Sequence, residues 1–103
     1  MPAPKSEAFR VLGERFRTER LRVGLTQMDL SNLAGMNVAN YGKIERGLGN
    51  PNFETLVRLA GVLGLDPGAL ITGLKASDLP PTKQTFTAAE FIKERERRER
   101  GGR

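Results

Sequence analysis

The sequence predicts an all-α protein. Two observations carry that reading. Apolar residues recur three and four positions apart in successive short segments, as in Leu30 and Ala34, Tyr41 and Ile44, and Leu56, Leu59, Ala60 and Leu63. Each segment is also punctuated in the way helices are: Ser6, Thr26, Asn37, Asn52 and Asp66 stand where an N-cap belongs, and Gly24, Gly35, Gly47, Gly64 and Gly73 stand just past the expected C-termini. Five helices are therefore expected within residues 6–74, preceded by a disordered lead at 1–5 and followed by a linker at 75–86 and a charged helix and tail at 87–103.

The first helix runs from the Ser6 cap to about Val23, with Phe9, Leu12, Phe16 and Val23 at helical spacing and Glu7 near the positive end of its dipole. Its other face holds Arg10, Arg15, Arg17, Arg20 and Arg22 against Glu7, Glu14 and Glu19, which suits either a phosphate backbone or plain solvent. The stretch TQMDLSNLAGMNVANYGKIERG, from Thr26 to Gly47, reads as two short helices joined by a tight turn. Thr26 caps the first, whose Leu30, Leu33 and Ala34 are expected to be buried. Gly35 makes the turn, Met36 points inward, and Asn37 caps the second, which buries Tyr41 and Ile44. The opposite face of this second helix, with Asn37, Val38, Ala39, Asn40, Gly42, Lys43 and Arg46, needs a partner or only water.

Asn50-Pro51-Asn52 then opens a fourth helix from Phe53 to Leu63, whose Phe53, Leu56, Val57, Leu59, Ala60 and Leu63 are expected in the core. The amides near Asn52 and Phe53 at its N-terminus suit a phosphate. Asp66 and Pro67 start a short fifth helix to Thr72, with Leu65, Leu70 and Ile71 completing the core. Pro80-Pro81 marks the linker. Beyond it, Thr87 and Glu90 form a capping box inside a Phe86–Phe91 staple, and the helix continues through IKERERRER with i,i+4 pairs from Glu94 to Arg98 and Glu96 to Arg100. So polar a helix is not core. It is either solvated, docked through Phe86, Phe91 and Ile92 on the body or on a second subunit, or a basic arm.

Composition narrows the chemistry. A chain of 103 residues builds one small core, and 17 Lys and Arg against 12 Asp and Glu leave a net charge of +5 that favours a polyanionic partner. Histidine and cysteine are absent, which removes the usual general base, the usual metal ligands and any disulfide, so no cofactor and no metal are expected. Gly47-Leu48-Gly49 lacks the third glycine of a dinucleotide motif, and there is no nucleophile elbow; an enzyme is not expected. The opening MPAPKSEAF has no apolar run and no stretch reaches bilayer-spanning length, so no signal peptide and no membrane partner are expected, and the chain is assigned to the cytoplasm.

Thr26-Gln27, Leu30, Ala34-Gly35, the inward Met36, Ile44-Glu45-Arg46-Gly47, Pro51 and Leu56 together resemble the Xre-type helix-turn-helix domains of phage lambda repressor and Cro, over roughly residues 11 to 74. The resemblance implies a five-helix lambda-repressor-like domain that binds double-stranded DNA, with the helix at residues 37–46 in the major groove. On the matching positions, Gln27 supports the recognition helix and touches backbone or base. Val38, Ala39, Asn40 and Lys43 read bases, Asn37 caps and bonds a phosphate, and Arg46, Asn50 and Asn52 meet the sugar-phosphate chain. Arg20 and Glu45 form a buried salt bridge. The resemblance further implies a homodimer on a pseudo-palindromic operator, joined through residues 65–74 and extended by residues 86–92, so that Leu70, Phe86, Phe91 and Ile92 are the candidate subunit or partner contacts.

Two departures stand out. Family members often carry long polar side chains where this chain has Val38, Ala39 and Gly42, and Gly42 costs roughly 1 kcal/mol of helix propensity relative to alanine. Its expected use is close approach of backbone to DNA or to Gly13 of the first helix. Tyr41 replaces a usual aliphatic, and its hydroxyl must find a partner or the surface. The competing reading is an interaction protein, an antitoxin-like adaptor that grips another protein through the C-terminal helix, with DNA binding secondary or lost.

Overall fold

The computed structural model describes residues 2–82 and 87–101, and among these the regular structure is helical throughout. In chain order the helices are α1 (Glu7–Val23), α2 (Gln27–Leu33), α3 (Val38–Glu45), α4 (Phe53–Leu63), α5 (Gly68–Ile71) and α6 (Ala88–Gly101), with one 3-10 turn at Ala76–Asp78 inside the linker. Their ends are set by local chemistry. Thr26 Oγ1 accepts from the Asp29 amide at 3.0 Å while Asp29 Oδ2 accepts from the Thr26 amide at 3.0 Å, so two orphan donors at the start of α2 are satisfied reciprocally. Asn52 Oδ1 takes the Thr55 amide at 2.8 Å to start α4. Asp66 Oδ1 takes the Gly68 amide at 3.0 Å, which starts α5 one residue later than the sequence suggests.

The core gathers Leu12 and Phe16 of α1, Leu30 and Ala34 of the α2 region, Tyr41 and Ile44 of α3, Leu59, Ala60 and Leu63 of α4, and Leu70 of α5. Phe16 and Tyr41 meet edge to face with ring centroids 6.2 Å apart, the arrangement aromatic quadrupoles favour. α1 and α3 cross in close contact because Gly13 has no side chain; a Cβ there would sit 2.5 Å from the carbonyl oxygens of both Ile44 and Glu45. This crossing presents the far side of α3 to solvent.

Several apolar residues expected in the core lie outside it. Leu33 is 64% exposed, because the narrow buried face of α2 is made by Leu30, Ser31 and Ala34, with the Ser31 hydroxyl satisfied by the Met28 carbonyl at 3.0 Å. Phe53 is 81% exposed and Val57 is exposed beside it: the inward stripe of α4 is Leu56, Leu59, Ala60 and Leu63, and these two flank it. Val23 is exposed at the last turn of α1. Leu70 and Ile71 are split, Leu70 at 0% exposure and Ile71 at 48%, since a four-residue helix turns only one side inward.

The lead assigned to disorder is engaged instead. The Lys5 amide donates to the Gly47 carbonyl at 2.9 Å, the Pro4 ring covers Gly47, and the Lys5 ammonium lies 5.7 Å from the Phe9 ring centroid. Gly47, at φ 77°, both ends α3 in the left-handed region and leaves room for that proline.

Candidate nucleic-acid interface

α3 stands on an anchor that joins three helices. Arg20 of α1 donates from Nε and Nη2 to Glu45 at 2.6 and 3.1 Å, and its Nη1 takes the Leu25 carbonyl at 2.8 Å. Gln27 of α2 donates from Nε2 to Glu45 Oε1 at 3.0 Å, and the Tyr41 hydroxyl, one turn back on α3, donates to Glu45 Oε2 at 2.5 Å. The buried pair expected between Arg20 and Glu45 is present, with side-chain exposures of 9% and 3%. Burial alone would raise the Glu45 carboxyl, but the hydrogen bonds from Arg20, Tyr41 and Gln27 outweigh it and hold the group below the ordinary carboxylate value. Burial and the adjacent Glu45 carboxylate push the Tyr41 phenol well above its ordinary value, so it stays a neutral donor. The Tyr41 and Gln27 donors to Glu45 were not expected from sequence; the i,i+4 spacing of Tyr41 and Glu45 is the signal that points to the former.

The outward face of α3 carries Ala39, Asn40 and Lys43, all exposed, with Val38 half-buried at its first turn and Arg46 just past its end. Asn40, Lys43, Asn50 and Asn52 line one groove with Met36 and Thr55, between α3 and the start of α4. Gln27 and Arg46 lie on the other flank, beside Gly42. The candidate residues thus lie on either side of one helix, with Ala39 exposed on its outward face and Asn37 and Val38 at its N-terminal end.

The chemistry of these groups is mostly that of donors. Asn37 Oδ1 accepts from the amides of Ala39 and Asn40 at 2.8 and 3.3 Å, and Asn52 Oδ1 is likewise used by Thr55, so each cap leaves its Nδ2 donors for an acceptor outside. The side chains of Asn40, Lys43, Arg46 and Asn50 have no hydrogen-bond or ion-pair partner among the described residues. Many of the basic residues elsewhere are occupied, although the side chains of Arg17, Lys75 and Lys93 have no ion-pair partner among the described residues. Arg10 pairs with Glu7 and Glu14, Arg22 with Glu19, and Arg58 with Glu54, while Arg15 donates to the carbonyls of Leu70 and Thr72 at 3.1 and 2.7 Å and so caps the end of α5 from a distance. Of the five arginines of α1 read as one basic face, only Arg17 lacks such a partner among the described residues.

The candidate subunit contacts divide. Leu70 is wholly buried within its own protomer and is corrected to a core residue; Ile71 is the exposed apolar side chain of α5. Phe91 and Ile92 are exposed on α6, where the Arg95 guanidinium lies 5.9 Å from the Phe91 ring centroid. Phe86 lies outside the described residues. The capping box at the head of α6 forms, Thr87 Oγ1 accepting the Glu90 amide at 3.1 Å, and no described residue of α6 is buried. Among the described residues, no helix is long and apolar enough to cross a membrane.

Residues 11–72 match the family model described as a helix-turn-helix domain. Over 66 residues the chain is 32% identical to the SPbeta prophage-derived uncharacterized HTH-type transcriptional regulator YonR of Bacillus subtilis, a match spanning 64% of this chain and 61% of that relative. The fold is similar to the restriction-modification controller protein C.AhdI from Aeromonas hydrophila, with TM-score 0.59, 32% identity, and coverage of 60% of this chain and 94% of the other. It is also similar to the P22 c2 repressor in complex with a synthetic operator, with TM-score 0.59, 30% identity, and coverage of 62% and 97%.

Proposed function

The chain belongs to the helix-turn-helix domain family, and on that premise we propose that it is a sequence-specific DNA-binding transcriptional regulator which lays α3 in the major groove of double-stranded DNA. The observation that carries this reading is the outward face of α3 and its surroundings. Among the described residues, Asn40, Lys43, Arg46 and Asn50 are left without internal partners and the caps Asn37 and Asn52 keep their Nδ2 donors free, while the helix beneath them is tied through Glu45 to α1 and α2. Donors pointing at one surface suit phosphate oxygens and the acceptor-rich purine edges of the major groove. In this reading Asn40 pairs with an adenine edge, Lys43 with guanine acceptors or a phosphate, and Val38 and Ala39 meet thymine methyls. Asn37, Arg46, Asn50 and Asn52 hold the backbone, and Gln27 supports α3.

The regulator acts as a homodimer on two half-sites about one helical turn, roughly 34 Å, apart. The exposed Phe53 and Ile71 supply apolar surface for the subunit contact that Leu70 does not. A protein partner at α6 is favoured by one observation, the exposure of Phe91 and Ile92 on a helix that is otherwise charged.

The test is selection of duplexes from a random DNA pool by the full chain, followed by titration of the recovered duplex at two salt concentrations. A two-fold symmetric motif is expected, with affinity falling steeply as salt rises, and Asn40→Ala and Lys43→Ala should each relax preference at one position of the half-site by about 1–3 kcal/mol. Recovery of no motif, or substitutions that leave preference intact, would remove α3 as the reading helix.

A further inference from the structure

Gly42 stands in the middle of α3, where glycine weakens a helix and alanine would strengthen it. Close approach to α1 is not the reason for it. Gly13 is the residue that admits the α1–α3 crossing, and the atoms nearest to a Cβ placed on Gly42 belong to neither Gly13 nor any other part of α1. They are the Arg46 guanidinium Nη1 at 3.1 Å and Gln27 Oε1 at 3.4 Å. The folded-back end of Arg46, one turn later on the same side of the helix, therefore lies against the space a methyl would take.

Gln27 gives this seat a fixed wall. Its Nε2 donates to Glu45 Oε1 at 3.0 Å, and because an ionised carboxylate only accepts, the carboxamide cannot flip without losing that bond; its oxygen is held toward Gly42. Arg46 has no carboxylate partner among the described residues, so its guanidinium is held by no ion pair and rests beside Gly42 and Gln27. Resting on the major-groove reading of α3 above, we propose that Gly42 is a positioning residue for DNA binding: it seats the Arg46 guanidinium across α3 beside Gln27, so that its donors meet a phosphate on the flank of the helix away from Asn40 and Lys43. A methyl at this position would crowd the guanidinium, which must give by a few tenths of an ångström, and since the neighbour is the flexible tip of a long side chain, the fold would tolerate the change while the aim of its donors at a phosphate would shift.

The experiment is a double-mutant cycle on the full-length chain, using the duplex recovered by selection as the probe, with wild type, Gly42→Ala, Arg46→Ala and the double variant titrated across salt and melted in parallel. Gly42→Ala is expected to melt no lower than wild type, to bind about tenfold more weakly, to keep the base preference of the wild type, and to lower the salt slope toward the loss of about 1 expected for Arg46→Ala. In the Arg46→Ala background it should have no further effect on affinity. Equal binding by wild type and Gly42→Ala would overturn the proposal, as would a loss that persists at full size without Arg46, which would mean that the methyl strikes DNA directly. A lower melting temperature for Gly42→Ala would overturn it too, because the seat would then be needed by the fold. These failures leave the parent reading standing, which Asn40→Ala tests independently; absence of any duplex binding by the wild type would remove both.

Discussion

Glu45 brings a negative charge to a place where water hardly reaches, and a charge so placed is tolerated only when its oxygens are filled. Arg20, Gln27 and Tyr41 fill them from three helices, which makes one carboxylate the point where α1, α2 and α3 are registered. Removing one partner of the ion pair strands the other, so Arg20→Ala or Glu45→Ala should cost about 3–5 kcal/mol in chemical denaturation. The pH dependence has a definite sign. The folded-state value of Glu45 is depressed below the ordinary 4.5, so its contribution is fully present above that value and is lost as pH falls through the lower, folded one. Thermal melts on the acid side should therefore fall more steeply with decreasing pH for wild type than for Glu45→Gln. Equal slopes would show that Glu45 is not held as the anion. The Arg20–Glu45 pair was legible through the family resemblance. In the sequence the Tyr41 hydroxyl has either a partner or the surface open to it, because the usual aliphatic there offers no precedent, and whether an i,i+4 tyrosine meets its glutamate depends on which side of the helix is covered.

At the scale of elements, two glycines within helices have opposite consequences. Gly13 of α1 faces backbone that cannot yield, the Ile44 and Glu45 carbonyl oxygens at 2.5 Å, whereas Gly61 of α4 is exposed with nothing within 4 Å of a Cβ. Gly13→Ala should destabilise by about 1–3 kcal/mol or more through overpacking at the α1–α3 crossing. Gly61→Ala should stabilise by about 1 kcal/mol through helix propensity alone. Urea denaturation of the two variants beside wild type checks both signs, and a neutral Gly13→Ala would mean that α3 does not rest on α1 as described. The helix boundaries were legible because caps and left-handed glycines act within a few residues. The contact of the lead with Gly47 was not: two prolines near the start suggest an unstructured lead, and only the folded chain brings Pro4 and the Lys5 amide onto Gly47, more than forty residues away.

For the molecule as a whole, the distribution of charge matters more than the net +5. Several basic residues of α1, α4 and α6 lie beside carboxylates, Arg10, Arg22, Arg58 and Arg97 among them, while Lys43 and Arg46 at α3 have no such partner among the described residues. Apolar exposure bears on assembly in a similar way. If Phe53 and Ile71 join the subunits, the double substitution Phe53→Glu, Ile71→Glu should sediment at half the mass of wild type with helicity retained, whereas a chain ending after Asp78, without Phe91 and Ile92, should keep the dimer mass. The reverse pattern would assign the subunit contact to α6.

By itself the sequence determined the helices, their order and ends, the polar face of α3 and the family to which that face belongs. All of these depend on signals a few residues long: a cap, a glycine, a three- or four-residue spacing. Tertiary structure alone decided which apolar residues are covered, leaving Leu33, Phe53 and Ile71 outside while Leu70 is enclosed. It also decided which donors complete Glu45 and what occupies the space at Gly42. The physical reason is the same in each case: periodicity says which residues share a side of a helix, but only the neighbouring helices determine how much of that side is buried and which atoms meet there.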